Sequence, residues 1–250
     1  MAGTFFKRVF AYILDMLIVS LLVMLLSYIP LLNPNRNAYS EKYNELFNVS
    51  EQVNNNEISE EEYNEAAIPI SYDIYRLSTP TVIINVVCYL LYFGVLPFLY
   101  NGQTIGKKLF QIRVVSASDK KLSLANYLLR ATILGNIIIS IGSTLVVYIF
   151  NVNNFYPIYQ NLNLVGYIIN YVSLFMILVR QDNRGIHDFV ANTKVIFTEE
   201  EMAERLNKIE KEQKILEDEL EKNKEEKIVK AKVRKTSAKK ANKKETNQKK

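Results

Sequence analysis

The sequence predicts an all-α polytopic membrane protein with four transmembrane helices, a small cytoplasmic β-hairpin-like element and a C-terminal cytoplasmic helix. First, 49% of the residues are hydrophobic while the mean hydropathy is close to zero, so apolar blocks must alternate with very polar ones. Second, a bilayer crossing takes about 20 apolar residues, and runs of roughly that length cover residues 9–29, 81–100, 131–150 and 162–179. Third, basic connecting segments alternate with segments that are acidic or uncharged.

The loop charges predict which side of the membrane each segment faces. Lys7 and Arg8 precede the first apolar run, residues 101–130 are basic, and the tail after the last run is rich in lysine. By contrast, Glu and Asp dominate the connection over residues 30–80. Because basic loops remain in the cytoplasm, we expect a multi-pass protein of the cell membrane with both termini cytoplasmic and the 30–80 loop outside.

The first predicted span contains a carboxylate, Asp15, which costs about 2.5–3.5 kcal/mol in hydrocarbon unless it is partnered or protonated. Arg8 lies seven residues earlier on the same helix face, but its side chain should extend towards water. We therefore expect Asp15 to bind Arg113 or Arg130. Arg8 is expected to meet Asp188 at the membrane surface, in a wetter site.

The other three predicted spans each carry asparagines, and three of these are candidate functional residues: Asn85, Asn136 and Asn170. Such side chains usually face the interior of a helix bundle. The sequence leaves open whether they bond neighbouring helices together or line a pathway.

The basic connection contains the stretch GQTIGKK, with Gly102, Gln103, Gly106 and Lys107. It is similar to the phosphate-binding pattern G-x-x-x-x-G-K-[ST], but it is one residue short and has no Ser or Thr after the lysine. We interpret it as a structural turn.

A short strand is predicted at residues 112–115, followed by a turn at 116–121, and residues 193–197 are predicted to pair with it. His187 and Asp188 stand side by side before that second strand. With no second histidine in the chain and no nucleophile nearby, we expect His187 to have a structural or ion-pairing role.

The membrane domain is predicted to cover residues 1–197, and two polar segments follow it. Residues 198–226 predict a charged amphipathic helix, with a short coiled coil as the alternative. Residues 227–250 are dominated by lysine and predict disorder and attraction to anionic lipid in the bilayer. No aromatic residue or motif supports nucleic-acid binding there.

The composition also argues against several function classes. The chain has one cysteine and one histidine, which excludes an internal disulfide framework and a Cys- or His-rich metal site. With no nucleophile–base pair in the sequence, we expect no cofactor, no metal and no enzymatic activity.

Three stretches resemble the signature blocks of the RDD family of membrane proteins: KRVFAYILDMLIV, NGQTIGKKLFQIRVV and RGIHDFVANTKVIF. The family's arginine and first aspartate correspond to Arg8 and Asp15, and its second aspartate corresponds most naturally to Asp188. The stretch 180–184 is slightly longer than the usual connection to the last block. The resemblance covers residues 5–30 and 80–197, without the outer loop or the tail.

The resemblance implies a multi-spanning membrane domain that moves an unidentified ligand, since some members resemble sodium/proton antiporters in activity. Two function classes follow. One is a transporter of an ion or small ligand, in which Asp15 exchanges a proton and a homo-oligomer is expected. The other is a structural or assembly protein that recruits a partner through its tail.

Overall fold

The computed structural model describes residues 2–118 and 120–215, and the chain divides into two compact units after Phe197. In the first unit the elements follow one another as α1 (Ala2–Ser27), α2 (Arg36–Asn54), α3 (Glu60–Leu77), α4 (Thr79–Leu90), α5 (Leu96–Leu99), α6 (Ile105–Leu109), β1 (Ile112–Ser116), α7 (Leu124–Leu134), α8 (Ile137–Ile149), α9 (Val152–Val179), α10 (Ile186–Val190) and β2 (Thr193–Phe197). A π-helical turn, Leu91–Val95, joins α4 to α5.

Among the described residues, three continuous helical segments are long and apolar enough to cross a membrane: Thr4–Ser27, Thr79–Leu99 and Val152–Val179. The pair α7 and α8 passes the same test together but is bent by 58°. It forms a fourth crossing if both halves belong to one span. The predominantly helical membrane architecture is therefore confirmed.

The predicted span over residues 131–150 does not form one continuous helix, because the helix breaks at Gly135 and Asn136. Asn136 has a φ of 50°, a left-handed conformation that asparagine tolerates better than most residues. The chain therefore changes direction there before α8 begins.

The helix that contains the last predicted span, residues 162–179, begins before residue 162. α9 begins at Val152, where the Asn151 side chain accepts a hydrogen bond from the Asn154 backbone at 3.1 Å. The segment 151–161 is uncharged, so the polar Asn and Tyr side chains can extend the helix beyond the apolar run. Its 28 residues measure about 42 Å, longer than the hydrocarbon core of about 30 Å.

The acidic connection forms a helical hairpin of α2 and α3. Ser59 and Glu62 make the capping box that their spacing predicts at the start of α3. α3 then packs against the apolar helices: Tyr72 donates a hydrogen bond to the Val147 carbonyl at 2.7 Å, and its ring lies edge-on to Phe155. This docking compensates for the low apolar content of the hairpin itself.

A two-stranded antiparallel sheet pairs β1 with β2, from Ile112 opposite Phe197 to Ser116 opposite Thr193. The predicted pairing is confirmed, but the hairpin-like description is wrong because the strands lie far apart in the chain. The sheet packs its buried residues against α1 and α7 through Ala11 and Tyr127. It thereby places the loop before β1 and the loop before β2 next to the first helix.

In the second unit, residues 199–215 are helical. The remainder of the predicted amphipathic helix, from residue 216, and the lysine-rich segment lie outside the described residues. The coiled coil and the disordered tail therefore stay predictions.

Candidate functional site

Asp188 lies at the centre of a buried ionic cluster. Its carboxylate is fully buried; Oδ2 accepts a hydrogen bond from Arg8, and Oδ1 accepts one from Arg130 Nε at 3.0 Å. Thr193 Oγ1 donates to Oδ1 at 3.2 Å and the Gly185 backbone donates to Oδ2 at 3.3 Å. The predicted Arg8–Asp188 contact is confirmed. The prediction that Asp188 is more exposed to water than Asp15 is wrong, because both carboxylates are fully buried.

The electrostatics of this cluster favour the ionised carboxylate. Burial raises the pKa of Asp188, but the charges of Arg130 and Arg8 lower it by more, so that it lies well below its usual range. Asp188 therefore links α1, α7 and α10 through two charge-assisted hydrogen bonds.

His187 is buried next to this carboxylate. Its Nδ1 lies 2.9 Å from Ser173 Oγ, which accepts from the Ile186 backbone at 3.1 Å and can donate its hydroxyl hydrogen to the ring. Burial lowers the pKa of His187 to about 3. The neutral ring can then direct its Nε2 hydrogen towards Asp188 Oδ2, 3.4 Å away, a structural role.

This arrangement predicts a loss of stability in mild acid. The folded pKa of His187 is about 3 against an ordinary 6.5, so below pH 6.5 the unfolded chain binds a proton that the folded chain does not. Stability should fall as pH falls from about 6.5, by up to about 1.4 kcal/mol per pH unit. Chemical unfolding of the detergent-solubilised protein between pH 7 and 5 measures this slope.

His187→Gln supplies the control, since His187 is the sole histidine in the sequence and an amide can still bond to Ser173. The slope between pH 6.5 and 5 should nearly disappear in the variant. An unchanged slope would show that other groups cause the acid sensitivity.

Asp15 is also fully buried, but its partners are neutral. Tyr92 Oη donates to Oδ1 at 2.7 Å, Thr104 Oγ1 donates to Oδ2 at 2.5 Å, and the Gly106 backbone donates to Oδ1 at 2.7 Å. The predicted bond to Arg113 or Arg130 is wrong: Arg130 binds Asp188, and Arg113 lies half-buried on β1.

The GQTIGKK turn is shaped to reach Asp15. At Gly106 a Cβ would lie 2.4 Å from the Ala11 carbonyl oxygen and 2.8 Å from Asp15 Oδ1, so only glycine lets α6 approach α1 this closely. Thr104 is the N-cap of α6, and its side chain accepts from the Lys107 backbone while donating to Asp15.

Two further residues of the turn attach it to the sheet. Gly102 has a φ of 84°, and a Cβ there would lie 2.0 Å from the Val114 carbonyl oxygen. Gln103 donates from Nε2 to the Ile112 carbonyl at 3.2 Å. The turn is therefore structural, as predicted, and it also supplies donors to the buried carboxylate.

Lys107 is the unexpected member of the site. It is 7% exposed, and within the described part of the chain its Nζ has no hydrogen-bond partner. The ammonium lies 5.9 Å from the centre of the Phe93 ring. Burial, followed by repulsion from Arg130, lowers the pKa of Lys107 to about 7, so the group can gain or lose a proton near neutral pH.

These charged residues meet around a cavity of about 310 Å³. Its lining includes five Arg, Lys, Asp and His residues: Arg8, Asp15, Lys107, Arg130 and His187. The other walls are mostly apolar side chains of α1, α7 and α9. The fold therefore brings the signature residues of three distant sequence stretches into one cavity.

The three asparagines have different positions. Asn170 lines the cavity, whereas Asn136 Nδ2 donates to the Gly166 carbonyl at 3.1 Å and bonds α9 to the helix break. Asn85 is exposed and lines a separate cavity of about 490 Å³. Asn136 also lines a third cavity, of about 230 Å³, so all three asparagines line cavities, and Asn136 in addition bonds two helices together.

Sequence reasoning did not single out four residues of the site: Tyr92, Thr104, Ser173 and Thr193. Thr104 carried a signal, because a threonine before a short Ile-Gly-Lys helix is a typical N-cap. Tyr92 carried a weaker one, since a buried tyrosine hydroxyl usually needs a hydrogen-bond partner.

The apolar helices and the buried ionic site define a polytopic helical membrane protein. The chain belongs to the RDD family, whose family model matches residues 2–192. It is similar to the uncharacterized protein YckC of Bacillus subtilis (strain 168), with 31% identity over 108 residues, 43% of this chain. The matched part spans 56% of that relative, and no solved structure matches the chain.

Proposed function

We propose that this protein is a small membrane transporter whose binding site is the charged cavity. The observation that supports this is the convergence of Asp15, Lys107 and Arg130 on one cavity between helices of the membrane domain. Ionisable residues at such positions are expensive to bury and usually mark substrate or proton pathways.

Two features support a role in moving a ligand. The bend between α7 and α8 interrupts one crossing, as in many transporters. In addition, the π-helical turn that carries Tyr92 is a distortion that is frequent at functional sites. Lys107, with its pKa near 7, and Asp15 provide groups through which ligand binding could be coupled to a proton.

Ion flux in inverted membrane vesicles tests this proposal. A pH-sensitive dye should report proton movement when sodium, potassium or inorganic phosphate is added to vesicles that contain the wild-type protein. Asp15→Asn should abolish the signal, because the variant keeps the shape of the side chain but removes its charge.

The matched control is Asp182→Asn, which changes an exposed carboxylate bonded to Arg180 and should leave the flux unchanged. Equal signals from wild-type and Asp15→Asn vesicles, or no signal from either, would refute the transport proposal.

The second candidate function, a structural or assembly role, is favoured by the Arg8–Asp188–Arg130 network. Its carboxylate is saturated by four residues and closes the junction of α1, α7 and α10. In that case substitutions in the cavity would change stability and assembly, and the wild-type protein itself would show no ion flux.

The orientation and the partners belong to the same proposal. The basic segments at both ends of the membrane domain support a cytoplasmic location for both termini. The lysine-rich segment 227–250 would then attract anionic lipid, while a homo-oligomer would complete the pathway that one small bundle provides only in part.

A further inference from the structure

The charged groups around the cavity are not evenly paired. Asp188 bonds to both Arg8 and Arg130, and Asp15 is bonded by neutral donors only. Among the described residues, Lys107 Nζ forms neither a hydrogen bond nor an ion pair. A buried ammonium without a partner is costly, and such an exception requires an explanation.

The cavity combines this charge with apolar walls and an accessible rim. Lys107 and Asp15 lie at its buried end, whereas Asn170 and Leu174 on α9 are exposed to the surroundings of the domain. Phe5, Val9 and Ile177 also line the cavity and supply apolar wall. A volume of about 310 Å³ lies within the range of small-molecule sites.

We propose that the cavity binds an anionic oxygen group, a carboxylate or phosphate, whose charge is paired by the ammonium of Lys107. The apolar walls that lead to the surface of α9 fit a ligand whose charged end carries an alkyl chain. This inference names the ligand class of the transport site and therefore rests on the proposed function.

Ion pairing would offset the cost of burying an ammonium that forms no hydrogen bond and that the Asp15 and Asp188 carboxylates attract without direct contact. An ammonium can donate three hydrogen bonds, and a bound anion would keep Lys107 protonated despite its pKa of about 7. Arg130 and Arg8 would add positive potential from the same side, since both line the cavity and both lower the pKa of Lys107.

Calorimetric titration tests the inference on the purified full-length protein in phosphatidylcholine nanodiscs. The probes are octyl phosphate, inorganic phosphate and the neutral octyl glucoside. Octyl phosphate should bind to the wild type with a saturable isotherm, and Lys107→Met should weaken it by about tenfold or more. Octyl glucoside should not compete.

Lys108→Met is the matched control, because it removes the same charge from the adjacent exposed lysine and should leave the affinity unchanged. Lys107→Arg retains the charge and should retain measurable binding. Thermal unfolding of each variant verifies folding; Lys107→Met should be at least as stable as the wild type, since it replaces a buried cation with an apolar side chain of similar length.

The outcomes separate the possible sources of the anion. Binding of octyl phosphate alone would identify a lipid or other amphiphile, and equal binding of inorganic phosphate would identify a free ion; both support the site. Absence of saturable binding to the wild type, or equal affinity in Lys107→Met, would overturn it. Anion binding without flux in the vesicle assay would refute transport alone, whereas flux without anion binding would refute this inference alone.

Discussion

Asp188→Asn is expected to destabilise the membrane domain by about 3–5 kcal/mol, because it leaves two buried arginines without their carboxylate. Arg8 and Arg130 are 9% and 3% exposed, so water cannot replace the lost partner. Unfolding of the purified variant in detergent, followed by circular dichroism against temperature or denaturant, measures the change.

Asp15→Asn and Asp182→Asn are the comparison variants for this loss of stability. Asp15 has three neutral donors, so its amide variant strands no opposite charge and should be less destabilising than Asp188→Asn. Asp182 forms an exposed pair with Arg180, and its variant should resemble the wild type. A larger loss for Asp15→Asn than for Asp188→Asn would contradict the assignment of Asp188 as the structural centre.

Gly106→Ala should destabilise the domain by about 3 kcal/mol or more, through overpacking and through loss of buried hydrogen bonds. The added Cβ would lie 2.4 Å from the Ala11 carbonyl oxygen, so α6 must move away from α1. That movement would also lengthen the bonds from Thr104 and Gly106 to Asp15. Denaturant unfolding provides the free energy.

Gly142→Ala is the matched control for Gly106→Ala. It lies within α8, and a Cβ there would meet nothing within 4 Å. Because alanine favours helix over glycine by about 1 kcal/mol, this variant should be as stable as the wild type or more so. If Gly106→Ala behaved in the same way, the close approach of α6 to α1 would be refuted.

The sequence allowed the Arg8–Asp188 contact to be predicted because both residues flank apolar runs on the same side. It did not reveal the partners of Asp15, since these are a backbone amide and two hydroxyl groups that only the folded turn and the π-helical distortion bring together. Charge and position predicted the Arg8–Asp188 pair correctly but the Asp15 pair wrongly. The N-cap signal at Thr104 did not indicate that its hydroxyl would bond to Asp15.

The lengths and bends of the helices were also predictable from the sequence only in part. The apolar runs located α1 and the α4–α5 segment closely. By contrast, the start of α9 depended on capping by Asn151, and the break before α8 depended on the backbone conformation of Asn136. The burial of Lys107 could not be predicted either, because a lysine in a basic loop is usually solvated.

The central claim is that the charged cavity is a transport site in addition to a structural junction, and Lys107→Met tests it most directly. The measurement is ligand-dependent proton movement in inverted vesicles that contain equal amounts of wild type, Lys107→Met or Lys108→Met protein. We expect the signal to be lost in Lys107→Met and retained in the wild type and Lys108→Met, although Lys107→Met should unfold at the same temperature or higher. Equal signals in all three, or none in the wild type, would contradict the claim.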